Sequence, residues 1–283
     1  MNREPTKLLG TGRVCLLCIC LAASVAGQQS TKVPWPFAKG EELVYQTEFN
    51  KGLLRGVDVA EFHFRVIAYP DGSPNTPAAE MQRFRLVADV VSKGFFAKLF
   101  RINFHEHIES TSRGDIVSPL HTIRSDEQGK RVRVSEALFD HKARKVTWSE
   151  RDPNHPRSPA TTTIDFQEPI QDVLSAIYFL RTQKLAIGES LTVPLTDSGR
   201  FLRIQVAVVE RKRMNSALGR VNAVLIQPAI FGEGALVKRA GTLSIWITDD
   251  NRRIPIKAQL KVDVGTFDIT LKRVVDSPLN QSK

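Results

Sequence analysis

The sequence predicts a mainly β protein: a single large antiparallel sheet, strongly curved or barrel-like, with one amphipathic helix at about residues 169–183. Three observations predict it. Apolar side chains recur at every second position through most of the chain, as they do on strands with one dry face. Clusters of Gly, Pro, Asn and Asp punctuate these runs. Only one stretch changes to helical spacing, so the regular strand–helix alternation of a parallel sheet is absent. At 283 residues, with 42% hydrophobic and 25% charged side chains, the chain is of ordinary globular composition. It is long enough for a core that needs no disulfide or metal.

Residues 1–27 read as a secretory signal. Arg3, Lys7 and Arg13 precede the apolar run Val14–Val25, and small residues follow at Ala22, Ala23, Ser24, Ala26 and Gly27. The run Val14–Ala26 is shorter than the roughly 20 residues a spanning helix needs. The expectation is an exported, periplasmic, soluble protein after cleavage, or an N-terminally anchored one if the segment is retained. All three cysteines, Cys15, Cys18 and Cys20, lie inside it. The processed chain then has no thiol nucleophile, Cys-based zinc site or disulfide. Loss of Arg3, Lys7, Arg13 and Glu4 takes the formal charge from +10 to +8. Such a surface suits an anionic membrane or simple solvation, since acidic residues are interleaved throughout. The compartment disfavours nucleic acid. Residues 28–39 form a lead-in, 40–275 a single β-rich domain and 276–283 a polar tail.

Within the domain, Ala60, Phe62, Phe64, Val66 and Ala68 alternate with polar neighbours. Gln82, Phe84, Leu86, Ala88 and Val90 do the same after the turn Pro70–Pro77, and then Phe100, Ile102, Phe104 and Ile108, with Glu106 interrupting. Lys130–Phe139, Lys145–Glu150 and Thr161–Phe166 are further strand candidates, with a Pro-rich loop at Asp152–Pro159. The helix is expected over Pro169–Gln183. Ile170, Val173, Leu174, Ile177 and Leu180 form its stripe, Asp172 suits its positive end, and Arg181 and Lys184 suit its negative end. Strands return at Phe201–Arg213, Arg220–Phe231, Thr242–Thr248, Ile254–Val264 and Thr266–Arg273. Asp249–Arg253 reads as a hairpin turn.

Several spaced residues resemble the bacterial exported family known as domain of unknown function 3108. They are Gly40-Glu41-Glu42-Leu43-Val44-Tyr45, then Asp172-x-x-Ser175-x-x-Tyr178-x-Leu180-Arg181 with Gly188-Glu189. Trp246-x-Thr248-Asp249-Asp250, Arg253-x-Pro255-Ile256-Lys257 and Gly265 complete the set, from about Phe37 to Arg273. The resemblance implies an exported, barrel-like β domain in which Asp172, Ser175, Tyr178, Arg181, Asp250 and Arg253 have structural roles. That family is in turn similar in architecture to periplasmic carriers that hold acyl chains in a curved sheet, a likeness of fold that does not fix function.

Chemistry-bearing patterns are few. His105 and His107 share a strand face and could grip one metal, with His63 or His121 as third ligand. The same parity also carries Arg101, Asn103 and Glu109, as a solvated face would. There is no HExxH, GxSxG or SxxK motif. Gly232-Glu233-Gly234 lacks the context of a phosphate loop, and Asp249-Asp250-Asn251 lacks the ligand spacing of a calcium loop. No cofactor is implied.

Fifteen Phe against three Tyr and three Trp leave most aromatic surface without a polar handle. Phe62, Phe64, Phe84 and Phe104 fall on the apolar parity of consecutive strands. They fit either the lining of a cavity for an acyl or lipid-like ligand or a filled core, which volume distinguishes. The run Gly94–Phe100 has apolar residues edged by Lys93 and Arg101, suited to a membrane surface or to a buried connection. The expected function is noncatalytic binding or carriage of a hydrophobic ligand in the envelope. An envelope scaffold, or a metal-dependent hydrolase using His105 and His107, is the alternative.

Overall fold

Alternation and turn chemistry produce a long meander. The strands are β1 (Glu42–Lys51), β2 (Leu54–Ala68), β3 (Phe84–Ser92), β4 (Phe104–Ser112), β5 (Pro119–Gln128), β6 (Arg131–Asp140), β7 (Lys145–Arg151) and β8 (Ala160–Asp165). The helix α1 (Val173–Thr182) follows, then β9 (Ser190–Asp197), β10 (Arg200–Ser216), β11 (Gly219–Pro228), β12 (Gly241–Thr248), β13 (Pro255–Val262) and β14 (Gly265–Val275). This computed structural model describes residues 35–68, 83–94, 103–112, 117–155 and 157–275. The signal segment, the turn Pro70–Pro77, Phe95–Ile102 and the polar tail lie outside the described residues.

Among the described residues, fourteen strands form one antiparallel sheet in the order β8-β7-β6-β5-β4-β3-β2-β1-β14-β13-β12-β11-β10-β9. Sequence neighbours are therefore sheet neighbours except for β8 and β9, and β14 pairs with β1. The sheet stays open between β8 and β9, the two strands that α1 connects.

The curvature is legible in what α1 touches. Leu174 and Tyr178 pack with Val66, Leu86, Ala88 and Phe84 of β2 and β3. Ala176 and Leu180 pack with Val193, Val206, Val208, Ile226 and Ile247 of β9 to β12. Phe179 is partly buried against both groups. One helix can touch both halves of a sheet only if the sheet wraps around it. Burying Leu174, Tyr178 and Leu180 contributes about 5–9 kcal/mol before conformational entropy is subtracted.

The open edges also approach each other. The β9–β10 hairpin is a two-residue turn in which Ser198 and Gly199 take φ of 50° and 70°, the geometry that matches strand twist. A Cβ on Gly199 would lie 3.0 Å from Cβ of Thr162 on β8. Glycine is thus required there both by its backbone angle and by the neighbouring strand.

The helix is shorter than the periodicity predicts. Pro169 lies outside its first turn, and Gln171 instead exchanges hydrogen bonds with the edge strand β9, its N–H donating to Pro194 O at 2.9 Å and its carbonyl accepting from Thr196 N at 2.8 Å. Ile170, fully buried, packs with Phe139, Val146 and Phe166 rather than on the helical stripe. The segment thus serves as a short cover for an otherwise bare sheet edge, which stops the helix at Asp172. Strands β5 and β9 carry no alternation that the sequence reading detects.

Candidate functional site

The N-terminus of α1 is fixed by a capping box. The Asp172 carboxylate accepts from Ser175 N at 2.6 Å, and the Ser175 hydroxyl accepts from Asp172 N at 2.9 Å. The second oxygen of Asp172 accepts from Ser110 Oγ on β4 and Thr122 Oγ1 on β5. A capping residue thereby also ties the helix to the sheet wall.

Beside this cap lies a cavity of about 330 Å³. Its apolar wall is Ile108, Phe139, Trp148, Val173, Leu174 and Leu236; its polar wall is Glu106, Thr122, Arg124, Ser135, Thr196 and Asp197. Cross-strand register accounts for this grouping. Ile108 pairs Arg124, Arg124 pairs Ser135, Thr122 pairs Ala137, and Ala137 pairs Trp148, so the inner face from β4 to β7 changes from apolar to mixed. Arg124 bonds Glu106 at 2.7 Å and lies 3.7 Å from Asp197. Burial pushes the Glu106 carboxyl above the usual carboxylate range, with Asp126 and Asp197 adding to that effect against Arg124. The polar wall therefore carries more acid than base.

The other end of α1 is closed. The Arg181 guanidinium donates to both oxygens of Glu41, at 2.6 and 3.1 Å, and to the carbonyls of Pro36 and Arg252 at 2.9 and 3.1 Å. Both charged partners are 1% exposed. Phe37 and Tyr178 flank the guanidinium at 5.3 and 5.4 Å from their ring centres. Glu41 also meets Arg252 at 3.3 Å. The loop supplying the Arg252 carbonyl is held by Asp250, whose Oδ1 accepts from Thr248 Oγ1 and from the N–H groups of Arg252 and Arg253. Arg253 takes a left-handed φ of 46° there.

The residues implied by family resemblance thus fall in one connected framework: Asp172 and Ser175 cap the helix, Tyr178 and Arg181 lock its far end, and Asp250 and Arg253 shape the loop against it. The four Phe residues expected to line a cavity do not line this one. Phe84 is buried with Trp35 and Phe37. Phe62 and Phe64 stack at 6.2 Å, with Tyr45 edge-on to Phe64. Phe104 is half-buried two strands away, its N–H donating to Ser92 Oγ, and Ser92 pairs with Ala60 rather than with Phe62 or Phe64. The four share a face as predicted, but neighbouring aromatics pack around Phe62, Phe64 and Phe84. The cavity forms instead where β4 and β5 turn polar residues inward.

The histidines lie on a face striped with carboxylates. His107 Nδ1 is 2.6 Å from Asp89 and its Nε2 3.2 Å from Glu109; His105 is 3.6 Å from the same Asp89 oxygen. His63 stands between Glu42 and Glu61 at 2.9 and 2.8 Å, and His121 pairs Glu136 at 2.6 Å. His63 and His121 are thus engaged by their own carboxylates rather than joined to His105 and His107. Among the described residues no group of three or more His, Cys, Asp or Glu has metal-binding geometry.

Sequence reasoning missed Thr122, Arg124, Ser135 and Asp197. A signal was present: between hydrophobic strands, Thr122, Arg124 and Asp126 put three polar residues at strand spacing, as expected where an inward face meets a wet cavity.

Comparison with known proteins agrees with this architecture. A β-barrel-like protein of domain of unknown function DUF1849 from Brucella abortus superposes with a TM-score of 0.54 at 9% identity, covering 84% of this chain and 98% of that one, which shows a shared fold. A protein from Bacteroides fragilis described as exported, with a YmcC-like fold, aligns at a TM-score of 0.35 and 10% identity, over 86% of this chain and 98% of its own. A Parabacteroides distasonis protein described as a lipoprotein aligns at 0.33 and 9%, over 86% and 100%. No match is found among curated proteins. The family model described as "Protein of unknown function (DUF3108)" matches residues 75–272, well over half of the length, and the chain belongs to that family.

Proposed function

We propose that this protein is an exported, noncatalytic binding or carrier protein of the cell envelope, and that its ligand occupies the cavity at the N-terminus of α1. The observation that carries the reading is the cavity itself: about 330 Å³, walled by aliphatic and aromatic side chains on one side and by Arg124, Glu106 and Asp197 on the other. That volume is at the lower end of the roughly 300–1,000 Å³ typical of small-molecule sites. It suits a short acyl or similar apolar group rather than a whole phospholipid. The polar wall constrains the head group. Arg124 is already engaged by Glu106 and Asp197, and Asp197 also by Arg200 at 3.6 Å, so a carboxylate or phosphate would have to compete with resident acids for cations that are already paired. A neutral hydroxyl or ester head, or a cationic ammonium that Glu106 and Asp197 can accept, is favoured.

Displacement of a neutral lipophilic dye by matched short-chain amphiphiles tests this. Alcohols and amines are expected to compete, and the corresponding carboxylates to compete at least tenfold less well, about 1.4 kcal/mol. A protein that takes up neither dye nor amphiphile would remove the carrier reading. Preference for the carboxylate would keep the carrier reading and overturn the assignment of the head group.

A further inference from the structure

We infer that the adjoining β1–β2 and β13–β14 turns form a lip that seats the protein on an anionic membrane surface. The inference stands apart from the cavity and goes beyond the proposed carriage of a ligand. Leu53 is 102% exposed, Leu54 48% and Val264 51%. Such residues scattered singly need no explanation, but these three share one place. The two turns touch: Lys51 Nζ donates to Asp263 O at 3.4 Å. A Cβ on Gly265 would lie 2.5 Å from Phe49 Cε2, so the β13–β14 turn is pressed against the end of β1. Gly52, at the tip of the other turn with φ of 57°, has nothing within 4 Å of its Cβ position, so that turn projects into open space.

Around the apolar tips stand exposed cations. Lys51 and Arg55 flank Leu53 and Leu54; Lys261 precedes Val264. Lys238 and Arg239 lie just before Gly241, which pairs with Val262 beside the same turn. The acids at these segments are Glu48, whose carboxylate lies 3.8 Å from the Cβ position of Gly56, with Asp58, Glu233 and Asp263; Asp58 is engaged by the Gln46 amide, and the five cations still outnumber these four acids. Apolar tips that enter the interface, ringed by Lys and Arg that meet anionic headgroups, are complementary to an anionic bilayer. The positive sign of the ring and the outward projection of the tips favour that occupant over a groove on another protein.

Co-sedimentation of the protein with phosphatidylglycerol vesicles and with phosphatidylcholine vesicles tests the inference. Binding is expected to the anionic vesicles only, and to weaken as salt rises. Arg55→Ala is expected to weaken it about fivefold, one headgroup-facing cation's share. The double substitution Leu53→Asp, Leu54→Asp is expected to weaken it more than tenfold. Both sites project into solvent, so an unchanged melting temperature and unchanged dye uptake identify the loss as one of docking. Absence of vesicle binding, equal binding to both lipids, or binding untouched by these substitutions would overturn the inference while leaving the cavity assignment standing. Binding of the double variant to a protein partner in place of vesicles would overturn it as well.

Discussion

At its C-terminal end α1 is held by a buried ion pair, Arg181 with Glu41, surrounded by aromatic rings and backbone carbonyls; at its N-terminal end Asp172 is held by hydroxyls beside a cavity where Arg124 is shared between two acids. Both ends carry charge, yet only one is dry. At the dry end each guanidinium nitrogen of Arg181 has an acceptor, and the arrangement specifies one packing of helix, lead-in and β12–β13 loop. At the other end Asp172 and Ser110 are buried, but Arg124, Glu106 and Asp197 are partly exposed and a cavity lies between them. The first is the architecture of a fastening, the second that of a site. The general lesson is that a buried Arg–carboxylate pair whose guanidinium nitrogens all have acceptors indicates structure, whereas an Arg shared among acids beside empty volume indicates a place for something else.

The largest effect expected from breaking this contrast is at the fastening. Arg181→Leu leaves Glu41 buried opposite its lost partner, and chemical denaturation should record a loss of about 3–5 kcal/mol. Arg124→Leu, at a side chain 38% exposed, should cost about 1 kcal/mol or less. Equal losses would erase the distinction. Next comes Asp172→Ala, which removes a cap and orphans Ser110 and Thr122; about 2–4 kcal/mol is expected in the same assay. Asp172→Asn, which can still accept hydrogen bonds, should lose less.

Smaller still is the stability change on narrowing the cavity. Ser135→Leu adds apolar volume to unfilled space and should alter stability by no more than about 1 kcal/mol while lowering dye uptake severalfold. The smallest effect involves neither end of the helix. Burial alone would lower the pKa of His63 and His107, but hydrogen bonds to Glu42 and Glu61, and to Asp89 and Glu109, reverse this and leave both raised. Their contribution is complete below the ordinary histidine pKa of about 6.5 and fades as pH rises through the raised folded values. Melting temperature should therefore fall between about pH 6 and pH 8, and the decline should flatten in the His63→Asn, His107→Asn double variant.

Much of this fold is legible in the sequence because the inner face is apolar and the outer face polar, so period two appears directly in β2, β3 and β10. The reading fails where that contrast disappears. In β5, Thr122, Arg124 and Asp126 turn polar groups to the cavity side, so neither face stands out and the strand is invisible to periodicity. The start of the helix is misplaced for another reason: Ile170 continues the helical spacing, but tertiary pairing of Gln171 with β9 overrides it. As for the site, the Phe parity is real and its consequence is a filled core. Whether aligned aromatics leave a space or occupy it depends on neighbouring rings such as Trp35, Phe37 and Tyr45, which reach them from distant parts of the chain. Arg124 and Glu106 are neighbours on adjacent strands, but Asp197 on β9 meets them only through sheet curvature, which no local pattern encodes.

Native mass spectrometry of protein isolated from the envelope, with wild type and Ser135→Leu side by side, bears most directly on whether the pocket by Asp172 holds cargo. The account predicts a bound mass of a few hundred daltons in the wild type, as its small volume allows, and its depletion in the variant. An unliganded wild type that remains bare after incubation with alcohol and amine amphiphiles, or a bound mass retained equally by both proteins, would contradict it.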